Sequence, residues 1–260
     1  MDNLPIIDIP DFLVEYEENV QYGYSSEKSK GNLRSVLERA SRGYCMYCYR
    51  RIVIDGIGTG HLEHAVEKDY SLKLEQCTPN IGIVCSKCNL SYKKKEQQFR
   101  IISDDEIRVF EKGNCKPNCT VPCSKYLRIK SAYLKNRTAH IILQPGGVWG
   151  EDTKNPLRLQ YDVLQSRFQP SNKYQYSEQE IEFIEDHIRR FRLNGEREKT
   201  KQLAIFLKDT IDHQGYYTNM EYNHYIVELF VKQLQGKTRE EILKICESLY
   251  IKAVMKFQVE

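Results

Sequence analysis

Two Cys-x-x-Cys pairs, "CMYC" at Cys45 and Cys48 and "CSKC" at Cys85 and Cys88, constrain this chain more than any other feature. Each pair lets two thiolates reach one ion from a tight turn. Together they complete the four-sulfur tetrahedron that zinc prefers. The stretch between them is longer than in a compact zinc ribbon, so it must form structure of its own. A redox role is the competing reading, but the β-α-β context of a thioredoxin-like site is missing.

Eight of the nine cysteines lie between Cys45 and Cys123. In a reducing compartment, clustered cysteines serve more often as metal ligands than as disulfides. "CKPNCTVPC" adds Cys115, Cys119 and Cys123, which could join Cys77 in a second zinc site. Three loop thiols without a function are the alternative, and the spacing leaves both readings open. Cys246 stands apart in a helical pattern and reads as a small buried hydrophobe.

The chain has 260 residues, 40% apolar and 29% charged, and no apolar run long enough to cross a bilayer, so a cytoplasmic location away from membranes is expected. A net charge of +3 does not advertise nucleic acid, but the charges are unevenly spread. Residues 1 to 20 hold Asp2, Asp8, Asp11, Glu15, Glu17 and Glu18 with no Lys or Arg. Basic runs follow at Lys93, Lys94 and Lys95, ahead of Arg100, and again from Lys125 to Arg137. The acidic stretch is expected to shield a nucleic-acid face or to engage a partner.

Leu33, Val36, Leu37 and Ala40 recur at helical spacing ahead of the first knuckle. "RRIVI", "GHLEHAVEK" and "NIGIV" read as strands around the turn-rich "DGIGTG", and "AHIILQP" and "LRLQYDV" as two later strands. Beyond Pro170 the pattern turns helical. Ser177 with Glu180 and Thr238 with Glu241 mark capping boxes, and apolar faces run through Ile181–Phe191, Leu203–Ile211, Tyr225–Leu234 and Ile242–Ala253. The expected class is therefore α+β. Its expected parts are an acidic N-terminal arm (1–30), a zinc-bound module (31–123) and a mainly helical C-terminal region (124–260) that docks on a partner or dimerises.

Glu63 and His64 stand between the knuckles, with His61 three residues before His64, Asn80 ahead of the second knuckle and Asn89 directly after it. The order Cys-x-x-Cys, Glu-His, Asn, Cys-x-x-Cys-Asn resembles the HNH endonuclease superfamily, whose active site is a β-β-α-metal motif. The resemblance covers about Tyr44 to Lys95. Within that superfamily, "HLEH…EK…N…CSKCN" is similar to HNH effector nucleases of bacterial anti-phage systems, of the Septu or retron-associated type, which pair with an ATPase. The later "IILQP" and "FRLN…R" resemble the same subset.

The resemblance implies His64 as general base, Glu63 as acidic metal ligand, Asn89 as terminal metal ligand and Asn80 as the residue orienting the histidine loop. It implies a structural Zn²⁺, a catalytic Mg²⁺ or Mn²⁺, and hydrolysis of DNA, with RNA also open because nothing in the sequence reads a 2′-hydroxyl. Three departures bear on the metal geometry: Glu63 stands for the commoner Asp, Asn89 for the last His, and Lys93 falls one residue late. His61 is expected to be structural or to contact phosphate. Lys93, Lys94, Lys95 and Arg100 are expected to form a phosphate-binding helix face. A zinc module that binds nucleic acid or protein without cutting is the rival reading.

Overall fold

A computed structural model describes residues 5–113, 119–195, 197–217 and 222–257. After β1 (Ile6–Ile9), the first helix, α1 (Glu27–Ala40), starts where Ser26 caps it by accepting from the Ser29 N–H at 3.1 Å. Its apolar stripe, Leu33, Val36 and Leu37, is fully buried, as the spacing predicts. Gly43 then takes a positive φ of 75° and turns the chain into the first knuckle.

β2 (Val53–Ile54) and β3 (Ile57–Gly58) form a hairpin whose two turn residues, Asp55 and Gly56, both have positive φ, the backbone an Asp-Gly pair supplies. β4 (His61–His64) pairs antiparallel with β5 (Ile81–Val84), Glu63 opposite Gly82 and His64 opposite Ile81. The connection between them holds the short helix α2 (Leu72–Gln76). A Cβ at Gly82 would stand 2.9 Å from the Gln144 carbonyl oxygen, so only glycine admits this close approach. α3 (Asp104–Glu111) and α4 (Ser124–Leu134) follow and are tied together by Arg128 on Glu106 at 2.6 Å.

β6 (Leu159–Asp162) and β7 (Arg167–Pro170) complete a three-stranded antiparallel sheet in the order β1-β6-β7. The opening residues are therefore not a free arm. Three of their acids pair with cations later in the chain, Asp8 with Lys173 at 2.6 Å, Asp11 with Arg158 at 2.9 Å and Glu17 with Arg39 at 2.5 Å; Glu15 and Glu18 are exposed, and Asp2 lies outside the described residues.

"AHIILQP" departs from expectation as well. Ile141, Ile142 and Leu143 are buried, but the segment joins no strand ladder. Side chains take its polar groups instead, as the Ile142 N–H donates to His187 Nδ1 at 3.0 Å and the Gln144 amide to Asp11 at 2.6 Å.

α5 (Glu178–Arg190) opens with the expected reciprocal Ser177–Glu180 capping box. α6 (Arg197–Asp212), α7 (Tyr225–Leu234) and α8 (Arg239–Phe257) close the chain, burying Phe206, Phe230, Leu234 and Cys246 together; the side chain at 253 lies outside the described residues. α7 is bonded to the first knuckle and to β1. Tyr225 N–H donates to the Tyr49 carbonyl at 2.9 Å, Arg51 N–H to Asn223 at 3.0 Å and the Gln233 amide to Ile6 at 2.9 Å. One hydrophobic core runs through both sides of the 123/124 boundary. No described helix is long and apolar enough to cross a membrane.

Candidate metal centre and polar cleft

Cys45, Cys48, Cys85 and Cys88 bring their four sulfurs within 4.8 Å of one another, with Cys48 Sγ and Cys85 Sγ 3.7 Å apart. Four sulfurs about 2.3 Å from a tetrahedral centre stand about 3.8 Å from each other, so the cluster is close enough to hold a metal ion and suits zinc. Turns built by the backbone aim the thiols: Tyr49 N–H donates to the Cys45 carbonyl at 2.9 Å, and Asn89 N–H to the Cys85 carbonyl at 3.1 Å. Burial pushes the Cys45 thiol up, while sulfur hydrogen bonds from Cys45, Cys48 and Cys88 hold the Cys85 thiol down.

The second cluster does not form among the described residues. Cys77 is buried at the end of α2, the Cys119 thiol donates to the Val121 carbonyl at 3.1 Å, Cys123 caps α4, and Cys115 lies outside the described residues. Cys77, Cys119 and Cys123 are not gathered into a metal-holding group.

β5 runs directly into the second knuckle, and β4 lies beside it, so the sulfur cluster fixes where Glu63 and His64 stand. They line a cleft of about 400 Å³ together with Glu67, Asn89, Lys93, Lys94 and Gln97. Three roomier hollows of about 580, 740 and 830 Å³ contain none of Glu63, His64 or Asn89. Convergent polar groups, more than volume, mark a chemical site, which favours the smaller cleft.

His64 is half-buried under the ring of Tyr24, with centroids 5.3 Å apart. Its Nε2 lies 3.2 Å from the Glu75 carbonyl oxygen. A carbonyl can only accept, so Nε2 carries the hydrogen and Nδ1 is left with a free lone pair. Burial pushes the imidazole down to about 4, which keeps it neutral at physiological pH.

Asn80, the residue expected to orient this loop, is fully buried and never reaches the cleft. Its Oδ1 accepts from Val66 N–H at 2.8 Å, its Nδ2 donates to the Val66 and Leu74 carbonyls at 2.9 and 3.2 Å, and its own carbonyl accepts from Ala65 N–H at 2.7 Å. It grips the chain just past His64, a positioning role. Asn89 is half-buried on the π-helical turn Cys88–Tyr92 and lines the cleft. His61 sits partly buried at the start of β4, outside the cleft.

The expected phosphate-binding helix face does not exist as such. Glu96 has a positive φ of 62° and breaks the helix, leaving Lys94 and Lys95 exposed while Lys93 and Arg100 turn inward. Arg100, 2% exposed, donates to Glu67 Oε1 at 2.6 Å, to the Tyr133 hydroxyl at 3.2 Å and to the carbonyls of Lys93, Lys95 and Thr138. Five aligned donors satisfied inside the protein are not available to phosphate. Lys93, 4% exposed, pairs with Glu63 Oε1, and the Tyr47 hydroxyl donates to Glu63 Oε2 at 2.9 Å.

Tyr24, Tyr47, Glu67, Glu75 and Tyr133 are site residues that sequence reasoning missed. Glu67 alone left a signal: an acid three residues past His64 in a run read as a strand. Comparison with family models, curated proteins and solved structures finds no match.

The buried His187 and the half-buried His64 set a pH dependence of stability. Burial pushes His187 down to about 3 and His64 to about 4, against about 6.5 when unfolded. Between those values the unfolded chain binds more protons, so their contribution is full above pH 6.5 and is lost as pH falls. Each costs about 1.4 kcal/mol per pH unit in that window. The midpoint of thermal unfolding is expected to drop steadily from pH 7 to pH 5; a flat profile contradicts this assignment.

Proposed function

We propose that this chain is a divalent-metal-dependent endonuclease that hydrolyses DNA phosphodiester bonds. The observation that carries the reading is His64: a neutral imidazole whose Nε2–H is committed to the Glu75 carbonyl, so that Nδ1 is free to accept a proton beside Glu63 and Asn89.

In this reading Nδ1 of His64 takes a proton from a water molecule as its oxygen attacks phosphorus. The phosphorus–oxygen bond to the leaving sugar oxygen breaks, that oxygen takes a proton from solvent water, and His64 returns its own proton to solvent. Glu63 and the Asn89 amide oxygen are hard donors that suit Mg²⁺ or Mn²⁺. When bound, such a cation stabilises charge on the leaving oxygen and the phosphate. Asn80 and Tyr24 hold His64 in place, and the exposed Lys94 lines the cleft, where it can draw in phosphate. The likeness of "HLEH…EK…N…CSKCN" to anti-phage HNH effectors further supports an ATPase as partner.

The rival, a zinc module that only binds, draws on the closed Glu63–Lys93 ion pair, which ties up one expected metal ligand. The two readings part in one assay. Supercoiled plasmid incubated with the full chain and Mn²⁺ is expected to be nicked and then linearised, and excess EDTA to stop it. DNA that is retarded on a gel but never cut, with Mn²⁺ present, would favour the binding module.

A further inference from the structure

Lys93 Nζ sits where a cation belongs. It pairs with Glu63 Oε1, donates to the His64 carbonyl at 2.5 Å and lies 3.8 Å from Glu67 Oε1, so two carboxylates and a carbonyl converge on one buried ammonium. Glu67 is itself held in place. Its Oε1 takes Arg100 at 2.6 Å and the Tyr133 hydroxyl at 2.9 Å, whereas its Oε2 is buried with no hydrogen-bond partner. At 9% exposure that carboxylate can hardly turn to bulk water, and an unpaired buried carboxylate oxygen is costly.

The charges tell the same story. Glu63 and Glu67 carry two negative charges, and the buried cations Lys93 and Arg100 match them one for one. Arg100 is locked by carbonyls on three sides, but Lys93 lines the open cleft beside Asn89. A divalent ion held by Glu63, Glu67 and the His64 carbonyl would stand where Lys93 Nζ now stands, and the two positive charges would repel one another there.

We infer that Lys93 and a divalent cation compete for the same oxygens, and that Glu67 is a second carboxylate ligand which the cation takes when Lys93 leaves. The inference rests on the nuclease reading only for the identity of the cation. Because only the fraction of molecules with Lys93 withdrawn can bind, the apparent affinity of the wild-type chain for metal is lowered by that fraction.

The test is Mn²⁺ binding to the full chain without DNA, followed by isothermal titration calorimetry and by the loss of the free Mn²⁺ electron-spin signal. Lys93→Met is expected to bind Mn²⁺ about ten-fold or more tightly than wild type. Adding Glu67→Gln to that variant is expected to reverse the gain. Equal or weaker binding by Lys93→Met overturns the competition, and an undiminished gain in the double variant overturns the role of Glu67. Should Lys93→Met not fold, wild-type crystals soaked in Mn²⁺ decide. Anomalous density within about 2.5 Å of both Glu63 and Glu67, with Lys93 displaced, supports the inference. Density elsewhere, or Lys93 still on Glu63, overturns it. Failure of the nuclease reading would show separately, as Mn²⁺ binding without DNA cleavage.

Discussion

Cys48→Ser is expected to leave the segment from Tyr44 to Lys95 unfolded and the protein largely insoluble. Binding of zinc to a four-thiolate site contributes on the order of 10 kcal/mol or more to the folded state, against a net stability of about 5 to 15 kcal/mol for an ordinary domain. A hydroxyl in place of the Cys48 thiol removes one corner of the sulfur cluster and leaves Cys85, 3.7 Å away, without its neighbour. The damage spreads because the first knuckle carries structure on its far side: Tyr49 N–H closes the turn onto Cys45, and the Tyr49 carbonyl anchors the start of α7. Elemental analysis of the wild-type chain is expected to return about one zinc per molecule, matching one four-sulfur group among the described residues. A soluble Cys48→Ser protein with an unchanged unfolding midpoint would show that the cluster does not hold this fold together.

Much of this was legible because it depends on local rules. The knuckles announce themselves by spacing, α1 by its buried stripe of Leu33, Val36 and Leu37, and α5 by the Ser177–Glu180 box. The strands β4 and β5 follow from short apolar runs, and the hairpin β2–β3 from Asp55-Gly56.

What was not legible depends on long-range partners. Nothing local in "IIDI" says that it completes a sheet with residues 159–170, so an acidic stretch reads as an arm. Arg100 looked like a surface cation because sequence cannot show Glu67, Tyr133 and Thr138 closing around it from both sides. "AHIILQP" has the composition of a strand, yet His187 and Asp11, far along the chain in both directions, supply its hydrogen bonds. Within the cleft, the order of Glu63, His64, Asn80 and Asn89 was readable. The inward turn of Lys93 was not, since the Glu63 and Glu67 carboxylates and the His64 carbonyl that receive it lie well before it in the chain.

Removing the His64 imidazole is the second change with a large expected effect. The side chain makes one hydrogen bond, to the Glu75 carbonyl, and one ring contact, to Tyr24, and neither belongs to the sulfur cluster. His64→Ala should therefore keep its zinc, its fold and its affinity for DNA. The chemical step should suffer, since a positioned general base is worth roughly 10²- to 10⁴-fold in rate. Glu63→Ala should also slow cleavage, but through weaker metal binding, so raising Mn²⁺ should restore part of its activity and none of that of His64→Ala.

The central claim is that Nδ1 of His64 takes the proton from the attacking water. It is tested most directly by the single-turnover rate of Mn²⁺-dependent DNA cleavage for His64→Ala and wild type, each shown to be folded and zinc-loaded. The expected result is a loss of about 10²-fold or more with DNA affinity unchanged. Cleavage by His64→Ala at the wild-type rate would contradict the account.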